Sequence, residues 1–154
     1  MCVKADFVGA NQDIRGYINF HAYSQLWMSP WGYSYDAPKD INAMRESSDR
    51  IVRAIEAVHG TAFQYGEISR IIYQSSGSSV DYMYGVHGLV QSYGPELRDT
   101  GRYGFMLPED QIVPSSEEIL AAVKVMVSEI VRAWEQEQKQ EKAPSENNVE
   151  GTVI

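Results

Sequence analysis

Glu96-Leu97-Arg98-Asp99-Thr100-Gly101-Arg102-Tyr103-Gly104-Phe105-Met106-Leu107-Pro108 is a run of mixed charge, glycine and aromatic residues on which the rest of the chain is organised. Leu89-Val90-Gln91-Ser92-Tyr93 reads as a strand feeding Glu96. Charged runs are usually solvated faces. A glutamate that closes an apolar strand and is followed by alternating Arg, Asp and Gly is poorly explained that way. Arg98, Asp99 and Arg102 are assigned to structure, as an ion-pair network supporting the loop. Pro95, just before Glu96, removes a ladder donor and fixes φ.

Downstream, Ser115 and Glu118 fit a capping box. Ile119, Leu120, Val123, Met126, Val127, Ile130, Val131 and Trp134 then mark one helical face. Beyond Trp134 the apolar stripe stops, so residues 135–154 are expected to be a polar, disordered tail. Upstream, Gly9 to Asp13 reads as a loop, and Ile14 to His21 mixes β-branched and aromatic residues over a strand's length. His21 then falls near the strand's carboxyl end, where open α/β sheets place ligands. Asp40 is a plausible N-cap for a helix whose stripe is Ile41, Met44, Ile51, Val52, Ile55 and Val58, ending at Gly60. His59 is read as surface structure in its last turn. Gly77 among four serines predicts an irregular loop, and His87, between Gly85 and Gly88, is expected in a solvated loop.

At 154 residues and 44% hydrophobic, the chain is long enough for one domain with a core of its own, placed at residues 1–134. A formal net charge of -8 and the lack of a basic run argue against a nucleic-acid partner. No window approaches the ~18–20 apolar residues of a membrane span, so no membrane partner is expected. Met1 to Asp6 lacks the apolar segment of a signal peptide. Cys2 is the single cysteine, so no internal disulfide forms.

Three segments resemble the zinc metallocarboxypeptidases of the carboxypeptidase A type. They are His21-Ala22-Tyr23-Ser24-Gln25 through Pro30-Trp31-Gly32, Tyr73-Gln74-Ser75-Ser76-Gly77-Ser78-Ser79-Val80-Asp81, and Glu96 through Pro108. The resemblance implies the C-terminal half of a carboxypeptidase-type α/β/α sandwich with a mixed sheet. It also implies that His21 is a zinc ligand, Glu96 the general base, Tyr73 the phenol that swings over the substrate, and Tyr23 a subsite residue. Val80 would floor the pocket for the substrate's C-terminal side chain, with Ile68 and Ile72 on its wall. An apolar floor favours aliphatic or aromatic residues, since burying an unpaired charge there is costly. The implied partner is a peptide or protein C-terminus, and the implied location is extracellular.

The chain departs from that pattern at several points, the first being Ser29, where a bulky apolar residue usually precedes the Pro, read as a packing change and not as loss of the ligand. Gly94-Pro95 replaces the more usual Thr-Phe, and the spacing from Tyr84 is one residue longer, so Glu96 is expected to be aimed differently from its counterparts. No His is followed three residues later by Glu, the zinc pair of the family's other half. Three hypotheses follow. The chain is a truncated form of a secreted zinc carboxypeptidase, inactive alone; or a non-catalytic peptide-binding or decoy module; or one part of a composite site completed in an oligomer.

Overall fold

The computed structural model describes residues 3–142. Five short strands, β1 (Gly16–Ile18), β2 (His21–Ala22), β3 (Leu26–Ser29), β4 (Gln64–Glu67) and β5 (Gln91–Leu97), form one mixed sheet. Its order is β1-β5-β3-β4, and β2 extends the β1 edge along β5. β5 runs parallel to β1 and β2 and antiparallel to β3, which is parallel to β4.

Successive side chains on a strand point to opposite faces, and that alternation builds the layers. Ile18, Trp27 and Tyr93 face two long helices, α2 (Ile41–His59) and α5 (Ile112–Lys142), which supply Ile51, Val52, Ile55, Ala122 and Met126 to this core. Tyr17, Leu26 and Met28 face the other way, against Ile68 of α3 (Ile68–Ile71) and Val80 of α4 (Ser79–His87). On that side α1 (Val3–Ala10) adds Val8 beside Met83 and Leu89. The result is the three-layer α/β/α arrangement with a mixed sheet, and each fully buried large apolar side chain contributes about 1.5–3 kcal/mol.

The helix α2 ends where the sequence places its stop, at Gly60, whose φ of +76° is the left-handed conformation that glycine adopts without a Cβ penalty. Other local expectations need correction. Gly9 and Ala10 are helical rather than loop, with the Asn11 amide donating to the Phe7 carbonyl at 2.7 Å. Asp40 does not cap α2 through its side chain; its carboxylate accepts from the Tyr84 hydroxyl at 2.9 Å. Ser115 and Glu118 form no capping box, because α5 starts earlier, at Ile112, with Pro114 tolerated in its first turn.

The apolar face expected on α5 divides in two. Met126 is buried and Ile130 packs against the core, whereas Leu120, Val127, Val131 and Trp134 on the opposite side are exposed. The helix also continues past Trp134 to Lys142. Glu, Gln and Lys are strong helix formers and need no buried stripe once the helix is under way. The tail expected from 135 is therefore helical through 142, and residues 143–154 lie outside the described residues.

Candidate active site

His21 and Glu96 are direct register partners on the parallel strands β2 and β5. Paired residues of adjacent strands project to the same face about 5 Å apart. The same alternation sends Asn19, Met28 and Gly94 to that face. Together with Ile68, Ile72, Tyr73, the Ser75–Ser79 loop and Val80 they line one cleft of about 370 Å³. Six of the seven residues singled out from sequence thus open onto a common space. The seventh, Tyr23, packs elsewhere: its ring meets Phe105 edge-on at 5.1 Å, over the turn that carries Gly104.

Each side chain has a local reason for its position. The β5 strand runs unbroken through Pro95, which is buried opposite Trp27. Gly94 leaves the room that lets Val80 approach, since a Cβ there would sit 3.3 Å from a Val80 methyl. Glu96 therefore reaches the cleft despite the altered residues before it. Val80 is buried and sits in the first turn of α4, which is capped by the Ser78 hydroxyl accepting from the Val80 N–H at 3.2 Å. Tyr73 follows α3 in the loop and is 65% exposed. That loop is tied down at Ser75, whose N–H donates to the Gly32 carbonyl at 2.8 Å, and at Gln74, whose side chain donates to the Tyr33 carbonyl at 2.7 Å. Gly77 turns at φ +83°.

The buried Asp81 carboxylate holds the neighbouring segment by accepting from the Gly32 N–H at 2.9 and 3.0 Å and from the Tyr33 N–H at 3.1 Å. Burial pushes its pKa up, against those backbone donors. Arg98, Asp99 and Arg102 do not form the ion-pair network expected of them. Arg98 pairs with Glu118; Asp99 accepts from the N–H groups of Gly101, Tyr103 and Gly104 at 2.9, 2.7 and 3.1 Å; Arg102 lies over the Tyr103 ring. Turn amides lower the Asp99 pKa despite the opposing effect of desolvation. His87 is the last residue of α4 rather than a loop residue, and its Nε2 is buried with no partner among the described residues. His59 is exposed and meets Glu117 at 2.6 Å.

Sequence reasoning overlooked Asn19, Met28 and Ser79. The period-2 spacing of 17, 19 and 21 and of 92, 94 and 96 was the signal that could have found the first of these.

Burial raises the Glu96 pKa, partly opposed by the charge of His21, and its Oε2 is buried without a partner. A carboxyl poised in this way suits proton acceptance.

A family model described as zinc carboxypeptidase matches residues 2–122. The chain belongs to the zinc carboxypeptidase family. It is 45% identical over 116 residues to carboxypeptidase B of Astacus astacus, covering 75% of this chain and 38% of the relative. Against carboxypeptidase A1 of Sus scrofa it is 44% identical over 122 residues, covering 79% of this chain and 29% of the relative. Bovine thrombin-activatable fibrinolysis inhibitor, solved in complex with tick carboxypeptidase inhibitor, superposes with a TM-score of 0.82 at 36% identity, over 84% of this chain and 44% of that one. The chain therefore spans less than half the length of each of these relatives. Zinc needs three protein ligands and an open position for water in a hydrolytic site. Among the described residues no three His, Cys, Asp or Glu side chains come together in that way, so His21 and Glu96 alone do not fit the metal of the family's name.

The pH dependence of stability is expected to report on Glu96. Its folded-state pKa is raised, so its contribution is fully present below the ordinary glutamate range and is lost as pH climbs through the raised value. Glu96→Gln should lose less stability than the parent in urea unfolding as pH rises above the ordinary glutamate range. Parallel pH profiles for the two proteins would show the carboxyl to be unperturbed.

Proposed function

We propose that this chain supplies the side-chain pocket, the proton acceptor and one imidazole of a zinc carboxypeptidase catalytic domain, whose activity is the removal of C-terminal, preferably apolar or aromatic, residues from peptides. The observation that supports this most is the convergence of His21, Tyr73, Glu96 and the apolar walls Ile68, Ile72 and Val80 on a single cleft. In this reading His21 is a zinc ligand whose companions come from outside the described residues, and Glu96 takes the proton. Tyr73, exposed on its anchored loop, covers the substrate, while Tyr23 with Phe105 contacts the peptide beyond the scissile residue. The buried Val80 disfavours Lys or Arg in the pocket. The partner is a peptide or protein C-terminus, and the enzyme acts extracellularly.

With one imidazole at the cleft and no three-ligand group among the described residues, the 154-residue chain is expected to show no turnover. Hydrolysis of a blocked dipeptide ending in Phe, followed with and without added zinc, tests this; chelator-sensitive turnover would refute it. The lack of a three-ligand group among the described residues also supports a second reading, a peptide-binding or decoy module. Zinc-free purified protein that still binds peptide C-termini would favour it.

A further inference from the structure

Beside the apolar floor, the cleft carries a polar pair that the preference for apolar residues leaves unused. Asn19 donates through Nδ2 to the Ser79 Oγ at 3.0 Å, and the Tyr17 hydroxyl donates to the same oxygen at 3.0 Å. A serine oxygen has two acceptor sites and one hydrogen. With Tyr17 as the donor of the hydroxyl–hydroxyl contact, both acceptor sites are filled and the Ser79 O–H makes no hydrogen bond among the described residues. The Asn19 amide is fixed by the same contact, and its Oδ1 accepts from no described residue and is not among the buried unpaired atoms. Asn19 and Ser79 both line the cleft, next to Val80. Tyr17 lies behind them on the same strand face and sets the orientation of the pair.

From this we infer that Asn19 and Ser79 are specificity determinants that select, among side chains with an apolar stem, those ending in a neutral hydrogen-bonding tip: a phenol or a carboxamide in preference to its hydrocarbon counterpart. The inference rests on the cleft being the pocket for a C-terminal side chain, as proposed above. Val80, Met28, Ile68 and Ile72 cover the stem of the entering side chain. The Ser79 O–H offers a donor to its tip and the Asn19 Oδ1 an acceptor, so a phenol or carboxamide is met on both counts. A cationic tip gains much less. The nearby Asp81 carboxylate is buried and already taken up by the Gly32 and Tyr33 amides, and Glu96, the one carboxylate lining the cleft among the described residues, is the register partner of His21, so no anion beside Val80 is set aside for Lys or Arg. A hydrocarbon tip would displace water from both polar groups and return no hydrogen bond.

The test titrates the isotope-labelled full chain with N-acetyl-glycyl-tyrosine and N-acetyl-glycyl-phenylalanine, following backbone amide shifts. Both ligands should move resonances around Val80, with the tyrosyl ligand binding roughly three- to tenfold more tightly, the worth of about one net hydrogen bond. Ser79→Ala, which removes a single hydroxyl, and Asn19→Leu should each bring the ratio toward one while the phenylalanyl ligand still binds. Equal affinities in the parent, or a tyrosine preference that survives both substitutions, would overturn the inference and leave the pocket assignment standing. Absence of cleft shifts with either ligand would overturn the pocket assignment itself, and this inference with it.

Discussion

Replacing Arg98 with alanine is expected to lower the unfolding free energy by about 3–5 kcal/mol, the usual cost of removing one member of a buried ion pair. The Arg98 side chain is 13% exposed and that of Glu118 only 1%. Arg98 Nε donates to Glu118 Oε2 at 2.8 Å and Nη2 to Oε1, so the pair is bidentate. The remaining donors are satisfied by the Gln111 side chain at 2.6 Å and the Thr61 hydroxyl at 2.8 Å. One side chain thus ties together the end of β5, the start of α5 and the segment after α2, two residues beyond Glu96. Its loss would leave the Glu118 carboxylate in the interior with no countercharge, which costs far more than the pair contributes when intact. Guanidinium chloride unfolding of Arg98→Ala and of the double variant Arg98→Met/Glu118→Leu separates the two effects. The double variant should recover most of the loss, because shape is kept and no charge is stranded. A loss below about 1 kcal/mol in the single variant would mean that the pair behaves as a solvated surface contact.

That clamp also shows where the sequence is legible and where it is not. Glu118 reads as a capping residue because a serine stands three positions before it, and a spacing rule cannot see that Arg98 competes for the same carboxylate from 20 positions away. Tertiary pairing overrides the local signal. The bounds of α2 were readable because their cues are local, an apolar stripe buried at Met44, Ile51, Val52 and Ile55 and a terminal glycine that must turn at positive φ, although Asp40 makes no side-chain cap and Val58 is exposed. Gln25 gives no such cue. It adopts a φ of +57° in the turn after β2, held by its own N–H on the Leu97 carbonyl and its side chain on the Ala62 carbonyl. The cleft was legible in most of its members through the resemblance of three motifs to one family. Asn19 and Ser79 were missed because their importance lies in a hydrogen bond spanning 60 positions, which no motif encodes.

Trp27→Ala should be the most damaging of the core substitutions, costing about 3–5 kcal/mol. Trp27 is fully buried at the centre of the sheet, packed against Tyr93 at 5.2 Å between ring centroids and against the residues that α2 and α5 contribute. Its removal opens a cavity at the point where both helices meet the sheet, and closely packed surroundings cannot fully collapse into it. The indole also carries a cost in the parent, since its Nε1 is buried with no partner among the described residues. Trp27→Phe keeps most of the ring volume and drops that orphan donor, so it should cost clearly less than the alanine variant. The neighbouring Met28 points to the opposite face, into the cleft, so Met28→Ala should disturb ligand-dependent shifts around Val80 while Trp27→Phe leaves them in place. Urea unfolding of the three variants, with amide spectra of the folded forms, decides this. If Trp27→Phe proves as damaging as Trp27→Ala, the indole nitrogen has a partner and the site is held by that bond rather than by ring volume.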